Sequence, residues 1–91
     1  MKDELNEIEF DILNALYFVE PFEHILAECN AKPSVVADVL KQLIHRKFVV
    51  AMQWDEEKKE FIRSFMYDSD DMNRYHYLAT KNGLLAHNGR L

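Results

Sequence analysis

A chain of 91 residues can build one compact domain, here expected to span residues 1–91, and is too short for a second core of useful size. With 48% hydrophobic and 30% charged residues it belongs among folded soluble proteins rather than disordered ones. The net charge of −5 is uneven: residues 1–30 carry −7, 31–54 +3, 55–73 −4 and 74–91 +3. Two mildly basic segments therefore stand among acidic ones, and a local basic patch can bind a polyanion even on an acidic protein. The single cysteine, Cys29, excludes an internal disulfide and any multi-cysteine zinc site. No apolar run approaches the roughly 18 residues of a membrane span, and the opening MKDELNEIEF is too acidic for a signal peptide. The cytoplasm is the expected compartment.

The first expected element is a helix from about Asp3 to Val19. Leu5, Ile8, Ile12, Ala15, Leu16 and Val19 share one face at 100° per residue, and Asp3, Glu4 and Glu7 suit the positive end of the helix dipole. Pro21 ends it. A short second helix, Phe22 to Cys29, is followed by Asn30, which tolerates a tight turn. Pro33 or Ser34 then opens a third helix, running to about Arg46 or Lys47, with Val36, Val39, Leu40, Leu43 and Ile44 on its buried face.

At Phe48 the pattern changes. FVVAMQW, free of charge and rich in β-branched and aromatic residues, predicts a strand; DEEKKE predicts a turn and EFIRSFMY a second strand. DSDDMN is a solvated acidic loop, RYHYLA a third strand or extended segment, and Thr80 caps a last helix ending near Asn88-Gly89. Trp54, Phe61, Phe65, Tyr67, Tyr75 and Tyr77 fall at strand spacing, which predicts sheet packing.

Two helices joined by a short turn over residues 22–46, followed at once by a hairpin, resemble a winged helix-turn-helix domain. SVVADVLKQLIHRKFVV and YLATKNG are similar to the recognition helix and the segment after the wing in small MarR-like and PadR-like bacterial regulators, with Thr80 and Gly83 matching and Ala79 standing where leucine is usual. The fold the resemblance implies is α+β: three N-terminal helices, a β-hairpin wing and a short C-terminal helix. The function it implies is sequence-specific binding of double-stranded DNA by a transcriptional regulator. Helix 3, about residues 34–46, would read the major groove and residues 55–60 would form the wing tip.

The face of helix 3 opposite Val36 carries Ser34, Asp38, Lys41 and His45, with Gln42 and Val35 on its flank. Ser34, Lys41, Gln42, His45, Arg46, Lys47, Lys58 and Lys59 are the expected DNA contacts, through base edges or phosphate. Lys47 stands where such proteins often have glycine, and the wing turn is half acidic. These departures leave open a winged helix used only for protein–protein contact.

Phe10, Leu13 and Tyr17 form a second apolar stripe on helix 1, and the last helix offers Leu84, Leu85 and Leu91 as mates. A homodimer through Phe10, Leu13, Tyr17, Leu84 and Leu85 is expected, the alternative being that the last helix folds onto helix 1 within one chain. His24, His45, His76 and His87 lie in no ligand spacing, no phosphate loop exists, and no carboxylate pair is spaced for acid–base work. No metal, cofactor or catalytic residue is expected. Cys29 is expected as a small buried residue whose pKa is raised by Glu28 and the helix end.

Overall fold

The computed structural model describes residues 5–89. Asn6 starts the first helix, α1 (Glu7–Ala15), through reciprocal bonds: its side chain accepts the Glu9 N–H at 2.8 Å and its own N–H donates to Glu9 Oε1 at 2.9 Å. Asp3 and Glu4, expected in that first turn, lie outside the described residues. The helix stops four residues before Val19. Leu16 is its C-cap, and the Leu16 carbonyl accepts the backbone N–H of Ala79 at 3.0 Å. A tertiary partner thus takes an acceptor that a longer helix would use internally.

Glu20–Pro21 instead forms β1, and Pro21 serves as N-cap of α2 (Phe22–Glu28), with Cys29 as C-cap. The third helix, α3 (Pro33–His45), has proline in its first turn as expected. It ends on Lys47 at φ 66°, whose N–H reaches Ile44 O while the Phe48 N–H reaches Leu43 O. These two bonds make a Schellman cap in which lysine fills the left-handed position that favours glycine.

The chain then runs through β2 (Val49–Asp55), β3 (Glu60–Ser64), a 3-10 turn (Met72–Arg74), β4 (His76–Ala79) and α4 (Lys81–Asn88). The expected second strand loses its last residues, since Phe65 and Met66 bend away and the Ser64 hydroxyl donates to Met66 O at 3.0 Å. RYHYLA contributes only its last four residues to a strand. All pairings are antiparallel, in the order β1-β4-β2-β3.

Among the described residues the architecture is α+β, with four helices and a four-stranded sheet. It departs from the expected order of elements by adding β1 between α1 and α2 and by placing β4 between β1 and β2. No helix among the described residues is long and apolar enough to cross a membrane.

The register sorts the sheet into two faces. Val49, Ala51, Tyr77 and Ala79 point to the inner one and are buried. They close a core with Ile12 and Leu13 of α1 and its C-cap Leu16, Phe22 and Ile25 of α2, and Val36, Leu40 and Leu43 of α3. Each large apolar side chain buried there stabilises the fold by roughly 1.5–3 kcal/mol before conformational entropy is counted.

Thr80 and Gly83 lock α4 to this core. The Thr80 hydroxyl donates to Lys47 O at 2.8 Å and accepts the Gly83 N–H at 3.0 Å, and the Thr80 N–H reaches Phe48 O at 2.9 Å. A Cβ at Gly83 would collide with Phe48 O, so only glycine admits this approach. The T-x-x-G spacing noted in the sequence is thus a docking device for α4.

Candidate interaction surface

Helix α3 keeps its inner stripe buried and sets Ser34, Val35, Asp38, Gln42 and His45 in solvent, as its periodicity requires. Lys41 is half-buried and approaches Asp38 at 3.9 Å. Lys47 is exposed, with its direction set by the left-handed cap.

Arg46 departs from its expected role. Its Nη1 donates to Glu9 Oε2 at 3.3 Å and its guanidinium lies 4.5 Å over the Phe48 ring. Glu9 is buried, so Arg46 ties α1 to the end of α3 and is turned away from the exposed row.

The expected wing tip is a self-satisfied turn. Asp55 Oδ1 accepts the N–H groups of Glu57 and Lys58 at 2.9 and 3.1 Å. Glu56 accepts from Lys59 Nζ at 2.7 Å and from Trp54 Nε1 at 2.9 Å. Those two donors, Lys59 first, hold the Glu56 carboxyl below the usual carboxylate range. Lys59 is therefore already paired, whereas Lys58 is exposed with no ion pair among the described residues. Of the eight expected DNA contacts, the structure brings Ser34, Lys41, Gln42, His45 and Lys47 to one helix and its exit. It withdraws Arg46 and leaves Lys58 and Lys59 at the hairpin turn.

Of the aromatics expected to pack on the sheet, Tyr77 is buried within it and Tyr75 beside it, Trp54 and Phe61 pack across the hairpin strands, and Phe65 stands in solvent. Trp54 is 49%, Ile62 39%, Phe65 80% and Met66 89% exposed. In the register, Trp54 faces Phe61 and Met52 faces both Arg63 and His76, so these residues share the outer face of the sheet. The Trp54 and Phe61 rings meet edge-on at 5.1 Å, Phe61 reaches His76 at 4.6 Å, and Arg63 lies 4.5 Å over Phe65. Ile62 belongs by register to the inner face but stands exposed on the hairpin. The hairpin therefore shows apolar side chains on both faces. At its base, a groove of about 200 Å³ runs between the end of α3 and β2, lined by Ile44, Lys47, Val50, Arg63, Phe65 and Tyr67 among others. Strand parity sets Trp54 on the opposite face of β2 from Val49 and Ala51, and the β2–β4 register then puts Tyr77 on the other face from Trp54.

Part of the expected dimer stripe packs within the chain, while Tyr17 and Leu85 stay exposed. Leu13 is fully buried in the core, Phe10 stacks on His87 of α4 at 4.2 Å, and Tyr17 meets His87 Nδ1 at 3.0 Å and Asn88 Oδ1 at 3.2 Å. Leu84 packs against the core and Leu85 stays 57% exposed, while Leu91 lies outside the described residues. The reason is that Thr80 and Gly83 pin α4 where its own α1 is the nearest apolar surface.

Cys29 is buried, and its thiol is pushed up to about 11 by that burial first, then by Asp11 and Glu28. Among the described residues, no group of three or more His, Cys, Asp or Glu side chains could hold a metal ion. Comparison with known families, with curated proteins and with solved structures found no match for this chain.

Proposed function

We propose that this chain is a winged-helix-like interaction module whose β2–β3 hairpin docks on an apolar surface of a partner protein. The observation that supports this reading is the exposure of Trp54 and Ile62 on the hairpin and of Phe65 and Met66 just after it. Several large apolar side chains left in solvent within one short stretch mark a contact surface. Two of the hairpin's three cations are engaged at home, Lys59 by Glu56 and Arg63 over the Phe65 ring, and Lys58 alone stands exposed, which suits a neutral partner better than a polyanion.

A photo-reactive residue in place of Phe65, compared with one in place of Gln42 on α3, tests this in the cells that make the protein. Protein adducts at position 65 and none at position 42 are expected. Adducts at neither position would overturn the reading.

A second reading, the sequence-specific DNA-binding regulator, is favoured by one observation: the exposed row Ser34, Gln42 and His45 on α3, with Lys41 beside it and Lys47 at its exit. In this reading helix α3 enters the major groove and residues 55–60 form the wing. Its cations would be Lys41, Lys47 and Lys58, with Arg46 outside the set. Fluorescence anisotropy with a mixed-sequence duplex at low and near-physiological salt tests it. A steep salt dependence that flattens in the Lys41→Ala, Lys47→Ala double variant supports it; salt-independent or absent binding removes non-specific phosphate contact from the account.

A further inference from the structure

We propose that the groove at the base of the hairpin is a binding site for a small organic carboxylate, a monoanion with a short apolar body. The site is separate from whatever surface the hairpin meets. The groove, of about 200 Å³, lies where α3 gives way to β2 and is bordered by the chain that leaves β3. That is smaller than the roughly 300–1,000 Å³ of sites for drug-sized molecules, so its occupant is only a few carbons long.

The lining combines two chemistries. Ile44, Val50 and Phe65 supply apolar walls, while Lys47, Arg63 and Tyr67 supply donors, and none of the lining residues is acidic. Neither Lys47 nor Arg63 makes an ion pair among the described residues, and the Tyr67 hydroxyl makes no hydrogen bond among them. The Arg63 guanidinium lies 4.5 Å over the Phe65 ring, a contact made by its face, which leaves the N–H fork at its edge for an acceptor. Burial holds the Tyr67 hydroxyl protonated above its ordinary range, so it too is a donor.

Lys47 adds an independent sign. It sits at φ 66°, in the helix-ending position that glycine fills at less conformational cost. A side chain kept in the left-handed region against that preference points to a use for it, and here the residue borders the groove.

The neighbouring helix sets the charge of the ligand. The groove begins at the C-terminal end of α3, the negative end of its dipole, which opposes a dianionic phosphate more than a carboxylate monoanion. The apolar walls call for a hydrocarbon body, which inorganic anions and a nucleic-acid backbone lack. The carboxylate meets the Arg63 fork with Lys47 as second cation, and the body covers Ile44 and Val50.

A titration with sodium hexanoate, followed through the amide resonances of the isotopically labelled chain, tests the site. Saturating shifts at Lys47, Val50, Ser64, Phe65 and Tyr67 are expected at millimolar concentration. Arg63→Gln and Lys47→Gly should each weaken binding by roughly tenfold. Lys58→Gln, at the far end of the hairpin, should leave it unchanged. Arg63 is exposed and glycine suits the backbone at position 47, so both variants keep the fold. Hexanol, with the body and no charge, and inorganic phosphate, with charge and no body, should each bind at least about tenfold more weakly. Absent shifts, shifts centred elsewhere, or an affinity that either groove variant leaves intact overturns the proposal. So does hexanol or phosphate binding as tightly as hexanoate, which would leave an apolar cleft or a bare cation pair in place of a carboxylate site.

Discussion

The two ends of α3 and β2 are built in opposite ways. At the junction where α3 passes into β2, backbone atoms of α4 approach Phe48 O, Thr80 bridges to Lys47 O, and Arg46 reaches across to buried Glu9. At the other end of β2, the hairpin satisfies its polar groups with its own neighbours and leaves its apolar side chains in solvent. The first region holds the molecule together and tolerates little change. The second adds little to the stability of the single chain, so its apolar surface is better explained by contact than by folding.

The largest test of that contrast is Gly83→Ala. The new methyl has no space against Phe48 O, and the loss should be about 3 kcal/mol, read as a fall in the urea midpoint. Next, Tyr77→Phe removes a buried hydroxyl that donates to Met72 O at 2.7 Å and should cost about 1.5 kcal/mol.

The same substitution has a pH signature. Burial holds the Tyr77 hydroxyl and the Cys29 thiol neutral above their ordinary ranges, so both groups bind protons in the folded chain at a pH where the unfolded chain has released them. Stability should be unaffected by these two groups at neutral pH and should fall as pH rises through about 9 to 11. Tyr77→Phe should reduce the upper part of that fall in a thermal-melt series, and a series with no alkaline fall would count against burial of either group.

Smaller effects sharpen the comparison. Lys47→Gly relieves the left-handed lysine and should stabilise by about 1 kcal/mol, a rise in melting temperature of several degrees. Phe65→Ser on the hairpin should shift the monomer's stability by less than about 0.5 kcal/mol. A large loss at position 65 would erase the distinction between the two regions.

Much of the fold was legible because its signals were local. Pro33 opened α3 where expected, Thr80 capped α4, and the β2 and β3 segments announced themselves by β-branched and aromatic runs. Three features depended on distant partners and carried no local signal. The Leu16 carbonyl gave up its helix for Ala79 N–H, Pro21 entered a strand only because β4 lies beside it, and Arg46 found Glu9 across the chain.

The candidate site divides the same way. The exposed row of α3 followed from its period, whereas the hairpin aromatics were assigned to packing because alternation does not reveal where a sheet outruns the helices that cover it. The second stripe read on helix 1 meets α4 within the chain through Phe10 and Tyr17, with Tyr17 lying past the end of α1 and still 41% exposed.

The position of β4 bears on how the molecule is made. It is the strand that links β1 to the rest of the sheet, yet it follows β1 by more than fifty residues and reaches its place by a crossover that returns past β2. During synthesis the helices and the hairpin can form as they emerge, but the sheet stays split until Ala79 has left the ribosome. Until then Val49 and Ala51 lack their inner-strand neighbour, and the nascent chain presents an open gap in the middle of its sheet rather than at its edge. Completion of the fold is therefore a single late event, with the hairpin already in place before the core is sealed.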